Sequence, residues 1–202
     1  MNPKNVKDEI MDAARHLFLE EGFSHVSMRK IASKIGYTPT TIYLYFKNKE
    51  EILGNLLEEG YGLFYAKLKE SHEAALCRST EERLFDMCEA YIQFGLDQPD
   101  YYNLIFTENF ETNIRSIENS NRYHGFLLLK AVVEELFDDQ TFVMNGQDRE
   151  TSALYISNSI WASLHGITAL LITFPQFHWV DRDRFIQIHL KSMILGYKML
   201  DR

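Results

Sequence analysis

Residues 27–49 read SMRKIASKIGYTPTTIYLYFKNK. The first part predicts a short helix over Met28–Ile35, because serine is a common helix N-cap and Ser27 stands directly before it. Gly36 follows this segment, and glycine often ends a helix because it adopts a left-handed backbone at low cost. We therefore expect a helix of about two turns here.

A second short helix is expected over Pro39–Phe46. Thr38 is a capping residue type, and proline suits the first helical turn, where its missing N–H is not needed. Two short helices joined by a turn that contains glycine form a helix-turn-helix arrangement, whose second helix enters the major groove of DNA. Ile42 and Phe46 would pack the second helix on the first, which requires Ala32 to stay small.

The outward side of this second helix combines hydroxyl, aromatic, apolar and basic side chains. Short hydroxyl side chains can contact base edges or the thymine methyl, whereas tyrosine hydroxyls and lysines suit phosphate oxygens. The residues expected on this side are Thr40, Thr41, Tyr43, Leu44 and Lys47.

Charges are distributed unevenly along the chain. The 202 residues include 21 Lys and Arg and 29 Asp and Glu, which gives a formal net charge of −8. Up to Glu50 basic residues slightly outnumber acidic ones, so the remainder carries the whole acidic excess. A basic end on an acidic body can mark a polyanion-binding region, although charges also scatter in this way by chance. The acidic body would repel DNA and restrict docking to one orientation.

The overall composition is that of a globular protein, with 46% hydrophobic and 25% charged residues. Two cysteines, Cys77 and Cys88, are too few for a disulfide scaffold and indicate a reducing compartment. The longest apolar run, Gly166–Phe174, is far shorter than the roughly 20 residues of a membrane span. The N-terminal residues lack the apolar core of a secretory signal. These features predict a soluble, cytoplasmic protein without a membrane segment.

The rest of the chain is expected to be helical, because apolar residues recur at steps of three and four and no alternating strand pattern is present. A loop is expected over Phe142–Arg149. The further helices are expected at Pro3–Glu21, Lys49–Glu73, Thr80–Asp97, Tyr101–Phe110, Ser120–Asp138, Glu150–Phe174 and Asp181–Leu200. The sequence thus predicts an all-α fold.

Residues 23–49 closely resemble the DNA-binding head of TetR-family transcriptional regulators. The resemblance covers about Asp8–Leu57 and rests on the alanine–glycine spacing, the Tyr-x-Tyr-Phe at 43–46 and the Lys-Asn-Lys turn. It implies a helix-turn-helix DNA-binding domain over residues 1–48 and a helical bundle for ligand binding and dimerisation over residues 49–202. It also implies a homodimer that binds a palindromic operator in double-stranded DNA and releases it when a small molecule enters the C-terminal domain.

The same resemblance assigns roles to residues of the head. Many family members have histidine where Tyr45 stands, so this contact departs from the family pattern. Core packing for the two tyrosines and a solvated turn for the two lysines are the structural alternatives. The candidates near bases or the adjoining backbone are Arg29, Thr40, Thr41 and Tyr45; those at phosphates are Ser27, Thr38, Tyr43 and Lys49, and Lys47 joins them from the outward side.

Aromatic residues are concentrated in the middle of the chain and are candidates for an apolar or flat ligand. Aromatic residues at helical spacing are also common in plain cores. The predicted ligand-binding residues are Tyr91, Tyr102, Phe106, Phe126, Trp161 and His165. Cys88 lies among them as a redox or electrophile sensor or as a small core residue.

Residues 161–166, WASLHG, resemble the Trp-x-x-x-His-Gly pattern of one class of TetR-like C-terminal domains. Trp161 and His165 are four residues apart and share a helix face, so the imidazole could meet a polar group of a ligand. A histidine satisfied by a backbone carbonyl in the core or interface remains an equal alternative.

The last two helices each carry two apolar strips, which indicates burial on both sides. In the family these helices form a four-helix bundle across the two-fold axis, so we expect the homodimer to form through them. Small residues at Ser163, Gly166, Ser192 and Gly196 would allow close approach. Two wholly internal helices are the alternative.

We interpret the chain as a repressor in which a ligand shifts the helix over 49–73 and so changes the separation of the two heads. The heads must match groove positions about 34 Å apart, or a multiple of that distance. An activator or partner-recruiting regulator without a small-molecule ligand is one alternative. A helical enzyme or lipid carrier with a vestigial head is another. The sequence has none of the common phosphate-loop, nucleophile or zinc-protease motifs, and its histidines lack ligand spacing, so we expect no enzyme, cofactor or metal site.

Overall fold

The computed structural model describes residues 5–107, 123–138 and 146–200. Within these ranges the chain forms helices and no strands, so the all-α prediction is confirmed. The described residues group into two compact units. The first unit takes residues 5–62 and 98–107, and the second takes 63–97, 123–138 and 146–200.

Helix α1 spans Val6–Glu21 and presents a continuous apolar face. Asn5 has an extended backbone, and its side chain accepts a hydrogen bond from the Lys7 N–H at 3.3 Å. The expected start at Pro3 lies outside the described residues. The buried side chains are Ile10, Ala13, Ala14, Leu17 and Phe18.

Helix α2 spans Met28–Lys34 and ends one residue earlier than predicted. Ser27 caps it as expected, because its Oγ accepts the Lys30 N–H at 3.3 Å. Ile35 has already left the helical conformation, and Gly36 follows with φ 73°, a left-handed value that suits glycine. The predicted stop is thus confirmed within one residue.

Helix α3 spans Pro39–Tyr43 and is shorter than the predicted Pro39–Phe46. Thr38 caps it through a bond from the Thr41 N–H to Oγ1 at 3.3 Å. Beyond Tyr43 the backbone continues as a turn in which the N–H of Phe46 still bonds the carbonyl of Ile42 at 3.0 Å. The segment therefore keeps a helix-like course through residue 46.

Helix α4 spans Lys49–Ala74 and contributes residues to both units. It begins where the C-terminal domain was predicted to begin, and the domain boundary between residues 48 and 49 remains a prediction. No helix within the described ranges is long and apolar enough to cross a membrane.

The predicted helix over Tyr101–Phe110 is wrong. The structure has a short α6 over Pro99–Tyr102 followed by a π-helix over Asn103–Thr107, and residues 108–110 lie outside the described ranges. Within the π-helix, the carbonyl of Ile105 accepts a buried hydrogen bond from the Tyr61 hydroxyl at 3.0 Å. This contact joins the π-helix to α4.

The second unit contains four further helices besides the end of α4. Asp148 caps the third of them by accepting the Thr151 N–H at 2.9 Å, so that helix begins one residue before its predicted start. The expected start at Ser120 and residues 142–145 of the expected loop at Phe142–Arg149 lie outside the described residues, and Arg149 already belongs to a helix. The helices are α5 over Thr80–Asp97, α7 over His124–Asp138, α8 over Arg149–Thr173 and α9 over Arg182–Lys198.

Candidate nucleic-acid interface

One side of α3 is anchored in the first unit. Ile42 and Phe46 are buried, and α3 packs against α2. Ala32 of α2 is also fully buried, as expected if the two helices need a small residue between them. This packing fixes which side of α3 faces outwards.

The opposite side of α3 is exposed. Tyr43 is 56% exposed, Leu44 79% and Tyr45 40%. Thr40 and Lys47 are exposed as well. Tyr43 and Tyr45 are therefore not core residues, and the predicted outward face exists as a surface.

Hydroxyl groups at the start of α3 are engaged with one another. Thr38 Oγ1 caps the helix and also lies 3.0 Å from Thr41 Oγ1 in a hydrogen bond. Each hydroxyl still has capacity for a further bond to a phosphate or base. On α2, Ser27 and Arg29 are exposed beside this region.

Lys47 is held at its backbone and not at its ammonium group. Its N–H donates to Glu51 Oε2 at 2.6 Å, while the Glu51 N–H donates to Asn48 Oδ1 at 2.8 Å. This reciprocal pair resembles a capping box and fixes the turn between α3 and α4. The exposed ammonium group can then reach solvent or a phosphate from a defined position.

Lys49 has hydrogen-bond partners within the head. Its Nζ donates to the carbonyl of Phe23 at 2.7 Å and to that of Val26 at 3.0 Å. The same ammonium lies 4.3 Å from the centroid of the Phe23 ring. Two of its three donors thus hold the segment between α1 and α2, and its phosphate contact stays a prediction.

Two residues of this surface were not among the candidate contacts. Tyr37 lies in the turn after α2, and the nearby Glu9 carboxylate raises the pKa of its hydroxyl. Leu44 was placed on the outward side but given no role. The sequence signal for its outward position was its spacing of two residues from each of the buried residues Ile42 and Phe46.

The matches to protein families agree with this geometry. Residues 10–56 match the model described as bacterial regulatory proteins, tetR family. Residues 84–193, more than half of the chain, match the model described as tetracyclin repressor-like, C-terminal domain. The chain belongs to the TetR family of transcriptional regulators. This confirms the resemblance seen in the head and identifies the chain as a transcriptional regulator of the TetR family.

Individual relatives extend the comparison. The fatty acid metabolism regulator protein of Bacillus subtilis (strain 168) is 44% identical over 62 residues, which cover 31% of this chain and 32% of that protein. The uncharacterized HTH-type transcriptional regulator YerO of the same organism is 31% identical over 150 residues, which cover 74% of this chain and 50% of that protein. The chain thus spans about a third and a half of the lengths of these two relatives.

A solved structure shows the same fold. A bacterial regulatory protein in the tetR family from Rhodococcus RHA1 superposes with a TM-score of 0.73 at 17% identity. The superposition covers 96% of this chain and 97% of that chain. Both parts of the TetR architecture are therefore present.

The predicted ligand-binding residues fall into separate contacts. In the first unit the rings of Tyr102 and Phe106 have centroids 5.1 Å apart. In the second unit those of Phe126 and Trp161 are 5.8 Å apart. Tyr91 is buried and meets Phe64 edge-on at 5.2 Å. That all the predicted residues line one ligand site remains a prediction.

His165 lies on α8 one turn after Trp161 and is partly buried. Burial lowers the pKa of its imidazole below the ordinary value, so the ring is neutral at pH 7. A neutral imidazole can both donate and accept a hydrogen bond. The geometry allows a ligand contact and equally allows a structural role.

A groove in the second unit has a different character. It encloses about 660 Å³ and opens to solvent. Half of the residues in its wall are charged, among them Lys67, Glu70, Arg78 and Asp86. None of the predicted ligand-binding residues lies in its lining. It does not correspond to the aromatic site expected from the sequence.

Cys88 is completely buried, and burial raises the pKa of its thiol. A buried thiol with a raised pKa is a poor nucleophile because little thiolate forms. The structure therefore favours the core interpretation over the sensor interpretation. Cys77 is exposed, and both thiols are free.

Helix α9 has two distinct apolar faces. Ile186, Leu190 and Ile194 are buried inside the second unit. A second strip, in which the residues recur at steps of four, three and four, is exposed. It consists of Ile188, Ser192, Leu195 and Met199. The alternative of a wholly internal helix is therefore wrong for α9.

Helix α8 is tied to α9 by polar side chains. Ser163 and His189 are hydrogen-bonded at 2.9 Å, and the Tyr197 hydroxyl donates to Ser159 Oγ at 2.8 Å. Gly166 is exposed, so α8 also presents a small residue to solvent. The exposed faces of both helices belong to the same unit.

Proposed function

We propose that this regulator represses transcription as a homodimer that binds a palindromic operator and releases it when a small apolar or aromatic ligand binds. The observation that carries the proposal is the segment 39–46, α3 with the turn after it, which is buried through Ile42 and Phe46 and exposed through Tyr43 and Leu44. A helix with this division can enter a major groove without unfolding the unit that holds it.

The exposed strip on α9 supports the dimer. Ile188, Leu195 and Met199 are large apolar side chains left in solvent, and contiguous exposed apolar side chains mark interaction sites. Pairing the strip with its symmetry copy would bury it, as a two-fold interface requires the same patch on both subunits. Two copies of α3 would then face two half-sites.

The ligand part of the proposal rests on α7 and α8. Phe126, Trp161 and the neutral His165 would supply two aromatic rings and one polar contact, which suits an apolar molecule with a single polar end. The relative named for fatty acid metabolism suggests fatty acids as first probes. Since α4 contributes residues to both units, we expect ligand binding to alter its inclination and so the separation of the heads.

A second candidate function is an activator or partner-recruiting regulator that needs no small molecule. Tyr91 and Tyr102 favour it, because both are buried and fill the interior with protein side chains. In vitro transcription from the bound promoter separates the two. A repressor lowers the transcript and an activator raises it.

The proposal is tested by selecting genomic fragments with the purified protein at two salt concentrations. We expect one inverted repeat to be enriched and to bind two protomers, with the affinity falling as salt rises. Failure to enrich any sequence would contradict operator binding, and a single bound protomer would contradict the homodimer.

The ligand is tested on the same operator. Saturated fatty acids of increasing length and aromatic acids are titrated into the complex, and we expect one series to release the DNA. Phe126→Ala and Trp161→Ala should raise the concentration needed while leaving operator affinity unchanged. Release that these variants do not affect would contradict the proposed ligand site.

A further inference from the structure

Leu44 is an apolar side chain held in solvent at the outer surface of the reading head. It is more exposed than either neighbouring tyrosine. Its backbone is not free to turn the side chain away, since the Leu44 N–H donates to the Thr41 carbonyl at 3.2 Å. The N–H groups of Tyr45 and Phe46 both donate to the Ile42 carbonyl at 3.0 Å. The exposure is therefore a fixed property of this segment.

The direction of Leu44 follows from its distance to the two anchors. Ile42 precedes it by two residues and Phe46 follows it by two residues, and each residue of a helix turns by about 100°. Both anchors therefore lie about 160° away from Leu44 around the axis. Leu44 therefore points almost directly away from the core. In a complex with DNA it would point towards the floor of the groove.

Leucine limits what this position can recognise. It has no donor or acceptor, so it cannot bind a phosphate, and it would leave polar base edges without partners. On the floor of the major groove, the apolar group of an unmodified base pair is the C5-methyl of thymine. Thr40 lies one turn earlier on the same side and is exposed, so the side chain one turn before Leu44 is short.

We infer that Leu44 is a specificity-determining residue that reads the methyl group of a thymine in each half-site. The inference rests on the proposed function, because it requires α3 to enter the major groove of a specific operator. It adds the identity of one base and the chemical group by which it is read.

The test replaces single thymines of the selected operator by uracil. Uracil keeps the pairing and the O4 acceptor and removes the methyl group alone. We expect one thymine position of each half-site to be sensitive to this change. Substitution in a single half-site should lower the affinity by about fourfold, as expected for the loss of one buried methyl group. Substitution in both half-sites should lower it by about fifteenfold.

The variant Leu44→Ala should lose this discrimination. Its affinities for the thymine and uracil operators should agree within about 1.5-fold, whereas Leu44→Met should keep most of the wild-type ratio. Leu76→Ala is the matched control, because Leu76 is an exposed leucine in the second unit. The ratio of its affinities for the thymine and uracil operators should equal that of the wild type. Since Leu44 is exposed, unchanged thermal unfolding should accompany Leu44→Ala.

A second variant tests the position without relying on loss of binding. Glutamine can bond adenine through N6 and N7, so selection with Leu44→Gln should enrich adenine in place of the thymine read by Leu44. The other positions of the operator should stay the same. An unchanged selected sequence would overturn the inference.

The outcomes separate the inference from the function on which it rests. If the wild type enriches no sequence, both are overturned. If an operator is bound but uracil is tolerated at every position, or Leu44→Ala remains as sensitive to uracil as the wild type, the inference alone is overturned.

Discussion

Replacing Lys49 by alanine removes an ammonium group that bridges two turns of backbone. Nζ donates to the carbonyls of Phe23 and Val26 at 2.7 and 3.0 Å and lies over the Phe23 ring. Lys47 is the matched comparison, because it is a nearby lysine whose side chain is exposed. The two variants remove the same charge from different surroundings.

The expected loss of stability follows from these contacts. A hydrogen bond to a charged group contributes about 1.5–3 kcal/mol, and a cation–π contact about 0.5–1 kcal/mol. Both hydrogen bonds are only partly buried, so water can replace part of what is lost. We expect Lys49→Ala to lower the free energy of unfolding by about 2–3 kcal/mol. Lys47→Ala should change it by less than about 0.5 kcal/mol.

Operator binding separates the two lysines in a second way. Each phosphate contact contributes about 0.9 to the slope of log affinity against log salt. Lys47→Ala should reduce the slope of a dimer by about 1.8. Lys49→Ala should reduce it only through the third donor of Nζ, which is the predicted phosphate contact. Urea unfolding and binding titrations at several salt concentrations give both quantities. A slope reduced by Lys49→Ala with unaltered stability would refute the structural role.

Three other predictions follow from the packing. Gly60→Ala should lower stability by about 1–3 kcal/mol, because a Cβ there would lie 2.8 Å from a side chain of the π-helix. Gly54 on the same helix faces open space, so Gly54→Ala should raise stability by up to about 1 kcal/mol. Thermal unfolding measures both changes. Cys77 should react with a thiol reagent in the native protein while Cys88 reacts only after unfolding, as mass spectrometry would detect. Leu195→Glu should shift the homodimer to monomer in sedimentation velocity, since it places charges face to face across the α9 strip.

Each of these predictions has a contradicting result. Equal stability of the two glycine variants would show that the close approach is relieved without cost. Equal labelling of both thiols in the native state would show that Cys88 is accessible. A Leu195→Glu dimer as tight as the wild type would place the interface elsewhere, and Leu76→Glu controls for the added charge alone.

The head was predictable because its signals are local. Ser27 and Thr38 cap helices through bonds to N–H groups three residues ahead, and Gly36 ends α2 by its own backbone preference. The burial of Ile42 follows from helical spacing alone. Such signals need no knowledge of distant parts of the chain.

The segment after α5 was not predictable in the same way. The π-helix over Asn103–Thr107 depends on the Tyr61 hydroxyl and on the close approach of Gly60, which are more than 40 residues away in the chain. The hydrophobic pattern of this segment is compatible with a regular helix. Contacts between distant residues decided its form.

The candidate sites show the same division. The exposure of Tyr43 and Leu44 followed from their spacing to the anchors, but the position of Lys49 did not, because its partners are carbonyls that carry no sequence signal. The six predicted ligand residues share aromatic or imidazole character, yet the contacts that bring them together are pairwise. Composition alone could not predict that arrangement.

The hydrogen bonds around α3 have a consequence for engineering. Caps from Ser27 and Thr38 and the bond from the Lys47 N–H to Glu51 all begin and end within residues 27–51. The segment thus carries its own termini and its own closing turn. Lys49 also binds the carbonyls of Phe23 and Val26, so we expect residues 23–51 to be exchangeable as one cassette with those of another TetR-family member, giving a hybrid that keeps its own C-terminal domain and takes the operator preference of the donor.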